Sequence, residues 1–530
     1  MRIRSCLLLL VPACWLLAAA TDFEAEGKRW WSHIEFLASD DLQGRNTGSE
    51  GHLKAARYVA GELERAGLKP AGTSGYFQPV KFDVMQIVED QSSLALVRNG
   101  KVERLSLGDD ATFSLRGDIQ ERTEAAAVFA GYGLKVPEKN YDDLAGLDVK
   151  GKIVVYLAGG PSSIPGPLKA HYSSAGERWK YLKAAGAVGI ASIQNPKAMD
   201  IPWSRARLSR FMPSMSLADP SLDENQGLRL SVTINPERAD KFFQGTSHNI
   251  AEILADADNG RPLPHFALPA AIRAHVQLKK WQVESQNVAG LLAGTDPKLK
   301  NEYVVMTAHL DHVGVGEPIN GDKVYNGAMD DASGIASILE ISRLLRESNA
   351  KLRRSVLFVA VTGEEKGLQG SRYFAAHPTV SEKSIVADIN LDMFLPLHSL
   401  RYIEVQGLGE SSLGDDIRAA ASAAGVQVQA DREPQRNLFI RSDQYSFIRH
   451  GIPALAFKFG YLPGSPEEKL HKDWLRDRYH APSDDLNQPV DKTAAAQFDQ
   501  IILALLQRVA NESNRPQWKA DSFFRRFAGD

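Results

Sequence analysis

The sequence predicts an α/β fold in which a mainly parallel, mixed sheet is flanked by helices and interrupted by an inserted, strand-rich domain. From about residue 286 onward, buried strands alternate with amphipathic helices, which is typical of a parallel sheet covered on both faces. Between residues 120 and 265, short strands bounded by glycines form a segment of different character. The 530 residues also exceed what one hydrophobic core usually serves, so we expect two domains or three.

The first 20 residues are predicted to be a signal peptide. Arg2 and Arg4 form a basic start, an apolar run of about a dozen residues follows, and three alanines offer a cleavage site. The run is shorter than the roughly 20 residues of a membrane span, although an uncleaved anchor is the alternative interpretation. We therefore expect a secreted or periplasmic protein. Cleavage removes Cys6 and Cys14, the only cysteines, so a metal site in the mature protein has to use histidine and carboxylate ligands.

Helices are predicted on both sides of a turn near the start of the mature chain. Trp30, Ile34 and Leu37 fall at helical spacing. A second helix is predicted from 55 to 66, with Gly67 as its end signal. The inserted segment that comes later contains no convincing group of ligands or nucleophiles, so we expect it to have a non-catalytic role.

The second half of the chain supplies the predicted parallel sheet. Its strands are expected at YVVMTA, SVLFVAVT, IVADINL and IPALAF, with ASGIASILEISRLLRE as a helix between the first two. A C-terminal helix is predicted around Ala495 to Val509. The sequence does not decide whether the tail after it docks on the body or frays.

Acidic and imidazole side chains follow the ends of several of these strands. Because the carboxyl ends of strands form the ligand crevice of an open α/β sheet, we expect these side chains to meet at one edge. They are His309 and Asp311 in AHLDH, Asp330 in NGAMDDASG, Glu364 and Glu365 in GEEKGLQGS, Asp392 in NLDM, and His480 in RYHAPSDD.

This mixture of residue types suits a pair of zinc ions. Imidazole and carboxylate are the zinc ligands when thiolate is absent, and two ions need a carboxylate that reaches both. A short Asp at a strand-to-helix turn suits that bridging role, and Asp311 is placed to orient His309. Of the adjacent Glu364 and Glu365, one can act as the general base and the other as a metal ligand. Each motif alone has a structural interpretation, such as a helix cap for the two aspartates, but four signals in order favour a metal site.

These segments resemble the M28 family of metallopeptidases, which includes leucyl-type aminopeptidases and glutamate carboxypeptidases. LASDDLQGRNTGSEGHLKAARYVAGELERAGLKP resembles the start of that family, and YDDLAGLDVKGKIVVYLAG resembles its protease-associated insert. The resemblance covers most of residues 25–510. It implies the zinc exopeptidase fold and the following segments: signal peptide 1–20, first part of the peptidase domain 22–119, protease-associated insert 120–265, second part with the metal site 266–512, and tail 513–530.

The resemblance also implies a role for each candidate residue. Asp330 would bridge two zinc ions, His309 and Asp392 would complete one of them, and Glu365 and His480 would complete the other. In the same pattern Glu364 would be the general base, Asp311 would support His309, and the peptide bond between Asp330 and Asp331 would be cis.

Two assignments compete with others in the sequence. His450 and His471 are alternatives to His480, which is preferred because it matches the YH motif of the family. The oxyanion donor is open. Where the family often has Ser-Asp-His, this chain has Gln in the third position, and Phe439 lies where some aminopeptidases have a tyrosine. The register of Tyr445 is too uncertain to assign it this role.

The predicted activity is removal of N-terminal residues from peptides by water that two metal ions activate. A glutamate-releasing carboxypeptidase is a close alternative, but it needs an arginine cluster, and only RARLSR at 205–210 in the insert offers one in sequence. A glutaminyl-cyclase-like acyltransferase usually works with one zinc, and a non-catalytic receptor loses metal ligands. The formal net charge of -3 favours no nucleic-acid partner. No membrane segment is expected after signal cleavage, and the oligomeric state stays open.

Overall fold

The computed structural model describes residues 21–436 and 438–529, so the predicted signal peptide lies outside the described residues. The described chain forms one sheet of ten strands and one of eight, besides two small two-stranded sheets. The two large sheets contribute to separate hydrophobic clusters, one in the body of the protein and one in the inserted segment. In the described part of the chain, we find no helix with the length and apolar character that crossing a membrane requires.

Strands are numbered in chain order. They are β1 (Lys69–Pro70), β2 (Phe77–Ile87), β3 (Ser93–Arg98), β4 (Lys101–Leu105), β5 (Ala111–Phe113), β6 (Arg122–Ala130), β7 (Lys135–Val136), β8 (Tyr141–Asp142), β9 (Ile153–Leu157), β10 (Gly189–Ile193), β11 (Ser214–Leu217), β12 (Leu230–Ile234), β13 (His265–His275), β14 (Leu278–Leu292), β15 (Tyr303–His309), β16 (Gly314–Ile319), β17 (Asp322–Tyr325), β18 (Ser355–Val361), β19 (Ile385–Asn390), β20 (Tyr402–Gln406), β21 (Gln427–Ala430) and β22 (Ala454–Gly460).

Helices are numbered in the same way. They are α1 (Phe23–Leu37), α2 (Glu50–Arg65), α3 (Gly166–Ser173), α4 (Ala175–Ala184), α5 (Trp203–Ala206), α6 (Asp240–Phe243), α7 (Ile250–Asp258), α8 (Ser333–Glu347), α9 (Gln369–Ala376), α10 (Leu413–Ala423), α11 (Gln444–Ile448), α12 (Pro466–Asp477) and α13 (Lys492–Asn511).

The ten-stranded sheet is mixed, with a parallel centre. Its order is β11-β2-β14-β18-β15-β19-β22-β20-β21, and β1 pairs with β14. The four central strands β18, β15, β19 and β22 run parallel, whereas β14, β2 and β11 extend the sheet antiparallel on one side. The buried central strands have apolar side chains on both faces, which helices such as α1, α8 and α13 cover. The predicted α/β fold is confirmed, and the parallel strands end at a common edge.

The second large sheet extends beyond the range of 120–265 predicted for the insert. The chain leaves the ten-stranded sheet after β2 and returns on β14, except that β11 pairs with β2. A hydrogen bond of 2.8 Å from the Val88 N–H to the Gln277 carbonyl links the two crossing points. The eight-stranded sheet runs in the order β4-β3-β13-β6-β9-β10-β12-β5, so its strands span 93–275. Strands β3 and β5 lie outside the predicted range, and each pairs with a strand more than a hundred residues away, which local patterns do not reveal.

The first two helices were predicted correctly, apart from the start of α2. This helix begins at Glu50 rather than near 55, because the Ser49 hydroxyl caps it by accepting a hydrogen bond of 3.1 Å from the His52 N–H. The chain turns out of the helix at Gly67, whose φ of +73° favours glycine.

The C-terminal tail docks on the peptidase body. Phe524 is fully buried and lies edge-on to Phe439, with ring centroids 5.2 Å apart. The Trp518 ring N–H donates a hydrogen bond of 2.8 Å to the Gly451 carbonyl. These contacts cover an apolar cluster beside β22. The tail therefore docks on the body, which the sequence did not decide.

Candidate metal centre

The structure brings the six predicted ligand and base residues to the same edge of the ten-stranded sheet. Each residue stands at the end of a strand or in a loop at that edge: His309 ends β15, Asp330 lies in the turn before α8, Glu364 and Glu365 follow β18, Asp392 follows β19, and His480 lies between α12 and α13. Parallel strands present their carboxyl ends together, which is why segments far apart in sequence meet here.

One group of possible ligands consists of His309, Asp330 and Asp392. The His309 Nε2 atom is 3.1 Å from Asp330 Oδ1 and 3.6 Å from Asp392 Oδ1. One donor atom from each side chain lies within 4.8 Å of the other two, which is the spacing of ligands around a single cation. His309 and Asp330 are buried, so a charge shared between them is screened little by water.

A second group surrounds the other oxygen of Asp330. The His480 Nε2 atom is 3.3 Å from Asp330 Oδ2 and 3.1 Å from Glu365 Oε2. Asp330 therefore presents Oδ1 to one group and Oδ2 to the other. This is the arrangement that a carboxylate bridging two cations requires.

The support that His309 receives differs from the prediction. Its Nδ1 lies 3.0 Å from the main-chain carbonyl of Asp311, and a carbonyl can only accept, so Nδ1 carries a proton and Nε2 faces the carboxylates of Asp330 and Asp392. The Asp311 carboxylate instead accepts hydrogen bonds from the Glu364 N–H at 3.0 Å and the Thr47 hydroxyl at 2.9 Å. The carboxylate of Asp311 thus holds the loop that carries Glu364, and its main chain orients His309.

The two adjacent glutamates have opposite electrostatic surroundings. Burial raises the pKa of Glu364 well above its ordinary value, and the carboxylates of Asp392 and Asp443 raise it further. Burial also opposes a charge on Glu365, but the His480 and His312 imidazoles outweigh it and lower the pKa of Glu365. Glu364 is therefore suited to accepting a proton, and Glu365 is suited to remaining an anionic ligand.

His312 is a site residue that the sequence analysis missed. It is fully buried, and its Nδ1 is 2.8 Å from Glu365 Oε1 and 4.0 Å from Asp330 Oδ2. With those two carboxylates it forms a possible ligand group of its own. Its ring also lies edge-on to His480, 5.9 Å away. His312 is the last residue of the motif AHLDH, but the motif does not show that its side chain contacts Glu365.

The turn that carries Asp330 is held by a second carboxylate that was also missed. Asp484 accepts hydrogen bonds from the Met329 N–H at 2.9 Å and the Asp330 N–H at 3.0 Å. The neighbouring Asp331 accepts from the His309 N–H at 3.2 Å, and the peptide bond between Asp330 and Asp331 is cis, as predicted. Asp484 comes shortly after His480 in the motif YHAPSDD, so a single segment supplies both a possible ligand and a brace.

Arg45 donates hydrogen bonds to main-chain carbonyls of several segments beneath the site. It is fully buried, and burial lowers its pKa to about 10. Its guanidinium donates to the carbonyls of Leu310 at 3.0 Å, Asn326 at 2.6 Å and Gly327 at 2.9 Å, and also to that of Leu37. A fork of five N–H groups can satisfy several carbonyls at once, which explains an arginine in the GRNTG turn.

The competing histidines lie away from both groups. His450 pairs with Glu382 near the surface, with Nδ1 2.9 Å from Oε1. His471 is buried on α12 against Tyr461, and burial lowers the pKa of His471 well below its ordinary value. Among the three candidates, His480 is the one that meets Asp330 and Glu365.

The residues considered for an oxyanion donor are engaged elsewhere. Phe439 packs in the cluster with the tail, and the Tyr445 hydroxyl lies 2.7 Å from His171 Nδ1. Gln444, which stands where the family often has histidine, is buried and donates to the Phe439 carbonyl at 3.0 Å. Tyr479 is a phenol that sequence reasoning did not consider, and it lines both cavities that adjoin Glu364.

Comparison with known proteins agrees with this geometry. Residues 287–506 match the family model described as peptidase family M28. This part of the chain belongs to peptidase family M28. The whole chain is 23% identical to carboxypeptidase Q of Xenopus laevis over 385 residues, which is 71% of this chain and 68% of that one. It is 29% identical to the probable leucine aminopeptidase 2 of Aspergillus oryzae over 192 residues, which is 34% of each chain.

The fold of the M28 chain extends this likeness beyond the matched range. The structure of an aminopeptidase from Aneurinibacillus sp. strain AM-1 superposes with a TM-score of 0.55 and 21% identity, covering 92% of this chain and 95% of that one. A zinc aminopeptidase from Bacillus subtilis gives a TM-score of 0.50 at 20% identity. At such low identity these likenesses establish the fold.

Two cavities open beside the possible ligands of this M28 peptidase. The smaller, of about 60 Å³, is lined by Asp330, Glu364 and Asp392. The larger, of about 460 Å³, shares Glu364 with it and also contains Glu365 and His480 in its wall. Both cavities therefore adjoin the predicted base, which stands between them.

Proposed function

We propose that this M28 peptidase is a secreted exopeptidase that uses two zinc ions to release N-terminal residues from peptides. The observation that carries the proposal is that the two carboxylate oxygens of Asp330 face different groups of side chains. His309 and Asp392 lie on one side, and Glu365 and His480 lie on the other. Imidazole nitrogen and carboxylate oxygen form the donor set that zinc takes. The Asp392 Oδ1 atom is buried and has no hydrogen-bond partner among the described residues, as expected of an oxygen kept for a cation.

In this mechanism the protein's own groups position the substrate and move one proton. When bound, the zinc ions supply Lewis acidity, which makes water more acidic and polarises the scissile carbonyl. Glu364 takes the proton from the attacking water and passes it to the leaving amine. Asp311 keeps Glu364 in place through the Glu364 N–H, and Asp484 keeps the bridging Asp330 in place.

The relatives support hydrolysis at a free N-terminus. One is named a probable leucine aminopeptidase, another is named aminopeptidase Y of Saccharomyces cerevisiae, and two structures with the same fold bear the name aminopeptidase. The insert contributes Arg116 and Arg178 to the wall of the larger cavity, which favours short peptides over folded proteins as substrates.

Zinc content separates this proposal from its rivals. We expect the purified mature chain to hold about two zinc ions and to cleave an amino-acid anilide, because both ligand groups are complete. The measurement is elemental analysis beside anilide hydrolysis before and after chelation. One ion per chain favours a cyclising acyltransferase, and a chain that binds none is a receptor or binding module.

A carboxypeptidase is the second candidate, and a specific observation favours it. Carboxypeptidase Q is the relative matched over the greatest length among those described here, and the larger cavity is lined by arginines that could hold a C-terminal carboxylate. An N-blocked peptide decides between the two activities. An aminopeptidase cannot process it, whereas a carboxypeptidase removes its last residue.

We expect replacement of His312 with Ala to weaken zinc binding about 10–100-fold, as the loss of a group that orients a ligand does. His312 lies 2.8 Å from Glu365 Oε1, so its loss frees that carboxylate to turn. A zinc titration against a competing chelator measures the effect. The matched control is His450→Ala, because His450 contacts Glu382 away from the site. Equal zinc affinity in the His312 variant and the wild type would contradict this role.

A further inference from the structure

The larger cavity beside the candidate metal centre is strongly basic. Its volume is about 460 Å³, and apart from Glu364 and Glu365 the one acidic side chain that lines it is Glu224, among the residues that the structure describes. Six arginines share the wall: Arg116, Arg178, Arg372, Arg436, Arg441 and Arg449. In the sequence, the one comparable cluster is RARLSR at 205–210, which lies away from the metal-site motifs.

The segment 205–210 has other partners. Arg205 donates to the main-chain carbonyls of Leu475 at 3.2 Å and Tyr479 at 2.9 Å, which braces the segment before His480. Arg210 pairs with Glu89 at 2.7 Å. The arginines of the cavity come instead from separate elements that only the fold brings together.

The arginines on the peptidase side of the cavity are already paired with carboxylates. Arg372 lies 3.5 Å from Glu224, and Arg449 pairs with the same carboxylate. Arg441 lies 2.6 Å from Asp200, which also pairs with another arginine of this wall. The second arginine on Asp200 is Arg436, which also lies 2.8 Å from Glu433. Three carboxylates thus serve four guanidinium groups, and this wall keeps a net positive charge.

The arginines on the insert side have unused donors. Arg116 is exposed and makes no hydrogen bond or ion pair with the residues that the structure describes, and its Nη1 would be 2.8 Å from a Cβ on Gly367, in the loop after Glu365. Arg178 is buried, and its Nε has no partner among the described residues. Its hydrogen bonds to the Tyr156 hydroxyl and the Gly159 carbonyl are long, at 3.5 and 3.4 Å, and its guanidinium lies over the Tyr156 ring, 4.4 Å from the centroid. A buried donor without an acceptor is rare in proteins, so the Nε atom of Arg178 points to a ligand.

We propose that this cavity binds a carboxylate of the peptide substrate, with Arg116 and Arg178 as its principal donors. The proposal rests on the peptidase function proposed above, because it names the chemistry of that substrate. A guanidinium fork matches the two oxygens of a carboxylate, and in a cavity of low dielectric the pair is stronger than in water. The carboxylate is either the C-terminus of a short peptide or the side chain of an acidic residue.

Four substrates separate these sources. Leucyl-leucine has a C-terminal carboxylate, leucyl-leucinamide has none, the α-amide of leucyl-glutamate has a side-chain carboxylate alone, and leucine 4-nitroanilide reports the catalytic centre without either group. We expect the wild type to prefer leucyl-leucine or the glutamate amide over leucyl-leucinamide by about 10–100-fold, mainly through KM, as loss of hydrogen bonds to a charged group predicts. Whichever of the two carboxylate substrates is preferred identifies the source.

Variants of the insert arginines test the assignment. In Arg116→Met and, separately, Arg178→Met, the preference for the carboxylate substrate over leucyl-leucinamide should fall about tenfold or more. Arg207→Met is the matched control, because Arg207 pairs with Asp109 in the same insert and does not line the cavity. We expect this control to keep the preference of the wild type.

Failure of the subsite and failure of the proposed function give different results. If the wild type cleaves the anilide but treats leucyl-leucine, the glutamate amide and leucyl-leucinamide alike, the carboxylate subsite is wrong and the peptidase function stands. If none of the substrates is cleaved, calorimetry of leucyl-leucine and leucyl-leucinamide binding to the wild type decides the subsite without turnover. Equal affinity for the two dipeptides overturns it, and tighter binding of the carboxylate that is lost in Arg116→Met supports it.

Discussion

Replacing Glu364 with Gln is expected to lower kcat about 10²–10⁴-fold while both zinc ions stay bound. The amide keeps the size of the side chain but cannot take a proton from water. Glu364 is not part of either ligand group, so the change leaves His309, Asp330 and Asp392 in place. The loss lies in the transition state, and KM should therefore change less than kcat.

Glu365→Gln is the matched comparison, because it makes the same chemical change at the neighbouring position. The Glu365 carboxylate lies 3.1 Å from His480 and 2.8 Å from His312, so its neutralisation should weaken zinc binding at that group. Added zinc should restore part of the activity of this variant and none of the activity of Glu364→Gln. The measurement is zinc content beside kcat for both proteins. Loss of metal in Glu364→Gln with retention in Glu365→Gln would reverse the two roles.

Replacing Arg45 with Met is expected to lower the free energy of unfolding of the peptidase body by about 3–5 kcal/mol. The variant leaves four buried main-chain carbonyls without their donor, among them those of Leu310, Asn326 and Gly327. Each acceptor left unpaired in the interior costs about 1–3 kcal/mol. The total for the four carbonyls is partly offset, because the variant no longer buries a charged guanidinium. The Leu310 carbonyl comes directly after His309, so zinc binding should weaken as well.

Urea unfolding of the purified variant measures the change in stability. Arg57→Met is the control, because Arg57 is exposed on α2 and its loss should stay within about 0.5 kcal/mol. Arg45→Lys should restore little, since a single ammonium group cannot reach four carbonyls that a planar fork spans. An unchanged unfolding midpoint in Arg45→Met would show that the carbonyls find other donors.

The sequence by itself determined the elements and the chemical types at the site. Alternating buried strands and amphipathic helices predicted the α/β fold, and the position of His309, Glu364 and Asp392 after successive strands predicted a common edge. These signals are local, because burial on both faces and the position of a strand end depend on neighbours within a few residues. The start of α2 is also a local feature, because Ser49 caps the helix. The predicted start near residue 55 was wrong because Ser49 was not recognised as the cap.

Tertiary structure alone decided which groups touch. The carboxylate of Asp311 turns to Glu364 instead of His309, and His312 joins Glu365, although AHLDH gives no sign of either direction. The basic cavity draws Arg116 and Arg178 from one domain and Arg441 from the other, so no stretch of sequence contains the cluster. Contacts of this kind depend on how elements hundreds of residues apart pack and on which side-chain rotamers that packing leaves, and the residue pattern of a single chain does not encode them locally.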